Sequence, residues 1–419
     1  MWPVSSLPRR YCCCNKLPHS FSFQDEIAFY DNRGIAGLKC LDSISFTMKL
    51  GQKPTGVAYI PTLDGWRAVA IVAVLVCHGL DQRRHSFAEP LGSAGVLLFF
   101  AISGFLITRR MVEEKIQTGT VSLRKFYIRR AFRILPPAFT YLASIALLGL
   151  AGVLPFSVEP LFKALFFVRN YAYFDYSQHA TWYSAHFWSL SVEEHFYLIW
   201  PAIFVLAGLK RARWVAPGLA VATILWRMID EKYEFVIRLF HAPYLLNNWG
   251  RTDYVADALL WGCALAVWLG HKPWKSPLPR RTTTALCAGL IGFVCVAWLM
   301  GRVNHAAIFV NLSMSLLVGL TVADPGSLIG RFLELPALRV VGRLSYSLYL
   351  WQQLFFHVDR KGLWFQNFPL NIAFIFACAC FSYYLVERPA IRLGHRFARP
   401  PKLGHADDLS AARAVSVEV

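Results

Sequence analysis

Long apolar blocks alternate with short polar gaps along the 419 residues of this chain. The blocks fall at about 66–80, 91–108, 135–154, 187–208, 214–229, 255–270, 284–301, 306–323, 345–358 and 369–386. Each reads as a membrane helix, although several are shorter than the ~20 residues a perpendicular crossing needs. Short spans are tolerated where a helix is broken or buried among its neighbours. The pattern predicts an all-α integral membrane protein, a polytopic bundle of about ten transmembrane helices. It divides the chain into an N-terminal extension (1–57), a membrane domain (58–395) and a disordered cytoplasmic tail (396–419), with no repeat and no appended soluble domain.

The first block carries chemistry as well as apolar surface. Asp64 can cap its first turn by accepting orphan backbone N–H groups. Arg67 and His78 are eleven residues apart. At about 100° and 1.5 Å per residue they leave one face of the helix, about 16.5 Å apart along its axis. Two ionisable groups on one face of a lipid-buried helix are costly and point to function. The bland alternative is that Arg67 snorkels at an interface and His78 ends the helix.

Composition agrees with a membrane chain: 56% of residues are hydrophobic and 16% charged, where a soluble domain carries about 25% charged residues. The formal net charge of +18 could suggest nucleic acid. That partner is excluded, because the lysines and arginines flank apolar blocks, where the positive-inside rule places them. With ten spans, the loops 109–134, 209–213, 271–283 and 324–344 hold eighteen lysines and arginines against ten on the opposite side. Both termini are therefore predicted to be cytoplasmic. Six of the ten cysteines (Cys77, Cys263, Cys287, Cys295, Cys378, Cys380) sit in apolar blocks, where cysteine acts as a small hydrophobe. No spacing suits a metal site. Residues 1–47 are polar and lack the parts of a signal peptide. They are expected to be a disordered extension, or Met48 to be the true start. Cys12, Cys13 and Cys14 could be acylated or bind metal, but such clusters are usually incidental.

Polar residues inside the blocks supply the candidates. Ser103 and Gly104 are small enough to let another helix approach. If the stretch Phe126–Pro136 is helical, Arg129 and Arg133 share a face with Arg130 beside them. Three forked guanidinium groups make a phosphate clamp; anchoring to anionic lipid is the alternative. The fourth block opens with Trp188, Ser191, Glu193, Glu194, His195 and Tyr197. A capping box from Ser191 to Glu194 would explain one carboxylate but not two. Glu193 and His78 are both expected near the outer face, at the similar depth an acid/base pair needs. Arg251 and Asp257 are candidates for an outer polar cavity, or for an interfacial ion pair. Tyr346, Tyr349 and Trp351 suit an aromatic belt, and Pro389 helps to end the last helix.

Taken together, these segments resemble acyltransferase family 3, the integral-membrane O-acyltransferases that modify bacterial surface and exported carbohydrates. The resemblance rests on Arg67 with His78, on Phe99-Phe100-Ala101-Ile102-Ser103-Gly104-Phe105, and on Arg129-Arg130 with Arg133 and Pro136. Trp188-Ser189-Leu190 with Glu193, Ser345-Tyr346 to Trp351, and Glu387-Arg388-Pro389 complete it. Many members have histidine where this chain has Gln352, so no chemistry is assigned there. Some members carry a soluble esterase-like domain after the last span; none follows here, which would leave acceptor handling to the membrane domain or to an envelope-biosynthesis partner.

The resemblance implies a bacterial inner-membrane enzyme that moves an acyl group, usually acetyl, from cytoplasmic acyl-CoA to a carbohydrate hydroxyl. Acetyl-CoA would be a co-substrate, with no permanently bound cofactor and no metal. The acceptor would be a surface or exported polysaccharide, a lipid-linked sugar or a glycoside. Arg67, Arg129, Arg130, Arg133 and Ser103 are then expected to bind the donor. His78 would be general base or transient acyl carrier, with Glu193 orienting it. Trp188, Glu194, Tyr197, Arg251 and Asp257 are candidates on the acceptor side. A proton-coupled transporter or flippase for a glycan or lipid-linked sugar is the rival reading, because intramembrane His, Glu and Arg suit a carrier equally.

Overall fold

The computed structural model describes residues 59–80, 88–172, 179–241, 250–270, 276, 278–300, 307–356 and 363–398. Met48, Cys12, Cys13, Cys14 and most of the C-terminal tail lie outside the described residues. The described elements are all helical: α1 (Pro61–Gly79), α2 (Ala88–Thr118), α3 (Leu123–Leu150), α4 (Val158–Leu165), α5 (His179–Trp182), α6 (Phe187–Tyr233) and α7 (Phe235–Phe240) come first. They are followed by α8 (Thr252–Leu269), α9 (Arg280–Leu299), α10 (Ala307–Ala323), α11 (Leu328–Leu333), α12 (Pro336–Phe355), α13 (Leu370–Phe381) and α14 (Arg388–Phe397).

Among the described residues, seven helices are long and apolar enough to cross a membrane, so the chain is a multi-pass membrane protein. Two expected spans, 187–208 and 214–229, lie within the 47 residues of α6. Straight, that helix would measure about 70 Å, more than twice the hydrocarbon core. It bends at Gly208, whose φ of 69° and ψ of 165° leave helical space and suit a residue without Cβ. The two halves then run back along one neighbour, α8. His195 in the first half meets Thr252 and Arg227 in the second half meets the Tyr254 carbonyl, both at 2.8 Å, while Arg213 beyond the bend accepts from Trp268 at the far end of α8. Helix α10 offers only the short apolar stretch Ile308–Ala323. Polar Ser345, Ser347, Gln352 and Gln353 are buried on α12, which keeps that helix out of the apolar class.

Other local expectations change too. The supposed loop 109–134 is almost entirely helix, because α2 continues to Thr118 and α3 starts at Leu123 with Ser122 as its N-cap. Asp64 is not a cap: Ile60 is the N-cap of α1, and Asp64 sits one turn in, accepting from the Tyr59 hydroxyl at 2.6 Å. Ser191 forms no capping box, since α6 starts at Phe187 and the Ser191 hydroxyl bonds back to the Phe187 carbonyl at 2.8 Å.

Small residues set the packing around the site. A Cβ on Gly104 of α2 would overlap the Leu259 backbone of α8, and one on Gly262 of α8 would overlap Ala101. The two backbones touch because neither glycine carries a side chain. Helix α1 lies between α2 and α12: Gly95 packs on Ala70, and Gly342 on Asp64. These contacts place Arg67, Ser103 and Ser345 at one level of the bundle, with His78 at the opposite end of α1.

Candidate active site

One cavity opens among α1, α2, α3, α6 and α12, with about 690 Å³ of empty space counting its mouth. Arg67, Arg130 and Arg133 face it, together with Ser103, Glu193, Tyr197, Ser189, Tyr346 and Tyr349. On α3, Arg133 falls between Arg129 and Arg130 around the helix at 100° per residue. Arg130 lies with its guanidinium carbon 3.8 Å from the centre of the Tyr197 ring, a cation–π contact that fixes a long side chain. Arg129, on the other flank, is turned away to Glu114 of α2 at 3.4 Å and does not line the cavity. Ser103 donates to Glu193 Oε1 at 2.7 Å, tying α2 to α6 across the cavity wall.

Tyr349 lines the α12 side of the cavity. Its hydroxyl donates to the His186 carbonyl at 3.0 Å and shares a 2.5 Å hydrogen bond with the Ser189 hydroxyl. One turn further along α12 stands Gln352, completely buried. Its Nε2–H donates to Gln353 Oε1 at 3.0 Å, so its own Oε1 faces the His78 ring at 2.8 Å. In that arrangement His78 Nδ1 carries the proton and Nε2 keeps its lone pair. Trp182 stands edge-on to His78, with ring centres 5.7 Å apart, and is itself anchored through Nε1–H on the Phe356 carbonyl at 2.8 Å.

A family model for the acyltransferase domain matches residues 60–387, which contain every one of these groups. The chain belongs to that acyltransferase family. It is 29% identical over 364 residues to the peptidoglycan O-acetyltransferase OatA of Listeria monocytogenes, covering 80% of this chain and 56% of that protein. It is also 29% identical over 375 residues to the O-acetyltransferase OatA of Staphylococcus aureus, covering 82% of this chain and 59% of that one. The chain thus spans little more than half the length of these curated relatives. No solved structure matches it.

Within this acyltransferase domain the predicted residues separate into three places. Arg67, Arg130, Arg133, Ser103, Glu193 and Tyr197 share the cavity. Tyr197, a candidate for the acceptor side, lies beneath Arg130. Glu193 does not orient His78: its partner is Ser103, and the residue that acts on His78 from the start of α6 is the N-cap, His186. Glu193 lies seven residues further down α6, about 10 Å along the axis. Glu194 is turned from the cavity, with one buried carboxylate oxygen unpartnered and Arg130 the nearest opposite charge. Trp188 packs edge-on against Phe100 and does not line the cavity.

Arg251 and Asp257 occupy a third place, between the second half of α6 and α8. Arg251 bonds Asp230 at 2.7 Å and Asp253 at 2.5 Å, and Tyr254 donates to Asp230 at 2.6 Å. Burial opposes the Arg251 charge, but the hydrogen bonds from Arg251 to Asp253 and Asp230 outweigh it and hold the guanidinium above its ordinary pKa. Asp257, fully buried, faces Arg227 at 3.7 Å and accepts from Asn311 at 2.8 Å. Neither residue lines the cavity, so the expected outer polar cavity around them is an ion-pair network instead.

Gln352, Ser189, Tyr349 and Trp182 were missed as site residues. The signal for two of them, Tyr349 and Gln352, was present in their spacing. Ser345, Tyr349 and Gln352 stand at i, i+4 and i+7, one continuous face of α12, which reads as an aromatic belt when only its tyrosines and tryptophan are considered.

Proposed function

We propose that the chain is a membrane-bound O-acyltransferase that moves an acyl group, acetyl as in the names of its relatives, from acyl-CoA to a carbohydrate hydroxyl. The observation that carries this reading is the convergence of Arg67, Arg130 and Arg133 on one cavity lined also by Tyr349, one helical turn from Gln352, the partner of His78. Planar guanidinium forks match phosphate oxygens, so the arginine end takes the phosphates of the donor. The rise from Arg67 to His78, about 16.5 Å, suits the reach of a pantetheine arm. At the far end, His78 Nε2 accepts the proton of the acceptor hydroxyl while its oxygen bonds to the thioester carbonyl carbon. The carbon–sulfur bond then breaks, and the leaving thiolate takes up the proton. Gln352 holds the ring and its tautomer. The same lone pair can instead accept the acyl group first. Peptidoglycan is the acceptor class suggested by the Listeria relative's name.

The finer topology belongs to this proposal. Ten crossings result if each half of α6 crosses separately and α10 and α12 also cross among their neighbours. The positive-inside asymmetry then puts both termini and the arginine end of the cavity in the cytoplasm, and His78 near the outer face of the inner membrane. The test is reconstitution of purified protein in vesicles with labelled acetyl-CoA and a glycan acceptor. Ester label on the glycan supports the proposal. Movement of unmodified glycan without ester formation contradicts it and supports a carrier.

A further inference from the structure

Glu387 is buried to 2% exposure at the end of the apolar stretch that forms α13 and α14. Between those helices, Ser382–Glu387 forms a π-helical turn. Such a turn holds an extra residue, which rotates everything after it relative to a regular α-helix. Here it turns a carboxylate into the bundle, where Ser347 of α12 donates to Glu387 Oε2 at 3.0 Å. The turn packs against α3, the helix that carries Arg133, and the positive charges acting on Glu387 are Arg133 and then Arg67, two of the three cavity arginines. Among the described residues Glu387 is in ion-pair contact with neither, and Arg133 has no ion-pair partner.

Arg133 is half-buried, and a charge taken partly out of water without any counter-charge is unfavourable. An arginine closed onto a carboxylate would have its charge answered and two of its five N–H groups engaged, leaving a poorer fork for a phosphate. The observed arrangement avoids both outcomes: the carboxylate is near enough to offset the charge, and its bond to Ser347 holds it off the fork. Resting on the acyl-CoA reading above, we propose that Glu387 is a positioning residue that offsets the charge of Arg133 without engaging its fork, and competes with the donor phosphates for it. The competition weakens donor and product alike, which speeds release of CoA.

Two substitutions have opposite expected signs. Glu387→Gln removes the competing charge and keeps the shape, so CoA binding tightens about 3–10-fold for a charge at this range; KM for acyl-CoA and kcat fall together. Ser347→Ala frees the carboxylate to close on Arg133, so CoA binding weakens by a similar factor. The measurement is CoA titration by calorimetry on the full chain in lipid nanodiscs, with thermal unfolding of each variant as the folding control. A structural role would lower the unfolding temperature without tightening CoA. Tightening by Glu387→Gln supports the proposal; unchanged or weaker binding, where the wild type binds CoA, overturns it and leaves the donor reading standing. Should Glu387→Gln fail to fold, Ser347→Ala decides by the same titration: weaker binding supports the proposal, and unchanged or tighter binding overturns it. If the wild type binds no CoA, the donor reading falls and this proposal with it.

Discussion

Arg227 and Arg133 are both arginines on long helices of the bundle, and the groups around them set them apart. Arg227 donates to the Tyr254 carbonyl at 2.8 Å and faces Asp257 at 3.7 Å, beside the closed set of Arg251, Asp230, Asp253 and Tyr254. Arg133 shares an open cavity with Arg67 and Arg130, and the Glu387 carboxylate acts on it without ion-pair contact. A buried charge whose donors are spent on fixed partners is structural cement. A half-buried charge whose donors face a cavity is poised for a ligand. Cost alone would have marked both clusters as functional; the difference lies in what the N–H groups do.

The comparison breaks most visibly at Asp257. Asp257→Ala leaves Arg227 buried without its carboxylate, and removing one partner of a buried pair costs about 3–5 kcal/mol. The expected result is a large loss of folded protein in thermal or denaturant titration, with turnover per folded molecule unchanged. Arg133→Gln is expected to do the reverse, with an unaltered melt and a KM for acyl-CoA raised about tenfold or more, because the lost charge-assisted bonds go to the donor. A melt that falls for Arg133→Gln and not for Asp257→Ala would invert the assignment.

Smaller effects sharpen the account. Glu193→Gln and Ser103→Ala remove two ends of one 2.7 Å hydrogen bond, so their effects on kcat/KM should be non-additive by about 1 kcal/mol. Each should add simply to Gln352→Ala, which acts on His78. Coupling between Glu193 and Gln352 as strong as that between Glu193 and Ser103 would return Glu193 to His78. Arg129→Gln should change KM for the donor by less than about twofold, since Arg129 pairs with Glu114 in a part-exposed bridge of the low-value kind.

Much of this was legible in the sequence. Apolar blocks located the main helices, and an eleven-residue spacing put Arg67 and His78 on one face of α1. Helical phase put Arg133 with Arg129 and Arg130 beside them, and the structure keeps Arg130 and Arg133 in the cavity while Arg129 turns to Glu114. The rest depended on partners far apart in the chain. His78 and Gln352 are 274 positions apart, and no local pattern pairs them. Glu193 looked like the partner of His78 because both were assigned to the outer face, yet α6 begins at Phe187 and carries Glu193 down to the level of Ser103. Arg251 and Asp257 looked as costly as the cavity arginines, and only their partners show that their charges are answered. Helix ends misled as well: Pro136 and Pro137 lie inside α3 instead of delimiting it, so the arginine stretch is the start of a membrane helix.

The central claim is a division of labour along α1 between a donor cradle at Arg67, Arg130 and Arg133 and a reacting imidazole at His78. It is tested most directly by measuring CoA affinity and acyl transfer together on purified wild type, Arg133→Gln and His78→Gln. Glutamine at 78 can replace one hydrogen bond but cannot accept the proton of the acceptor, so transfer should fall about 10²–10⁴-fold while CoA affinity stays within about twofold of wild type, as expected for a group that acts only in the transition state. Arg133→Gln should lose affinity and keep most of its turnover at saturating donor. If His78→Gln weakens CoA as much as Arg133→Gln does, or still transfers at a near-normal rate, the division is contradicted.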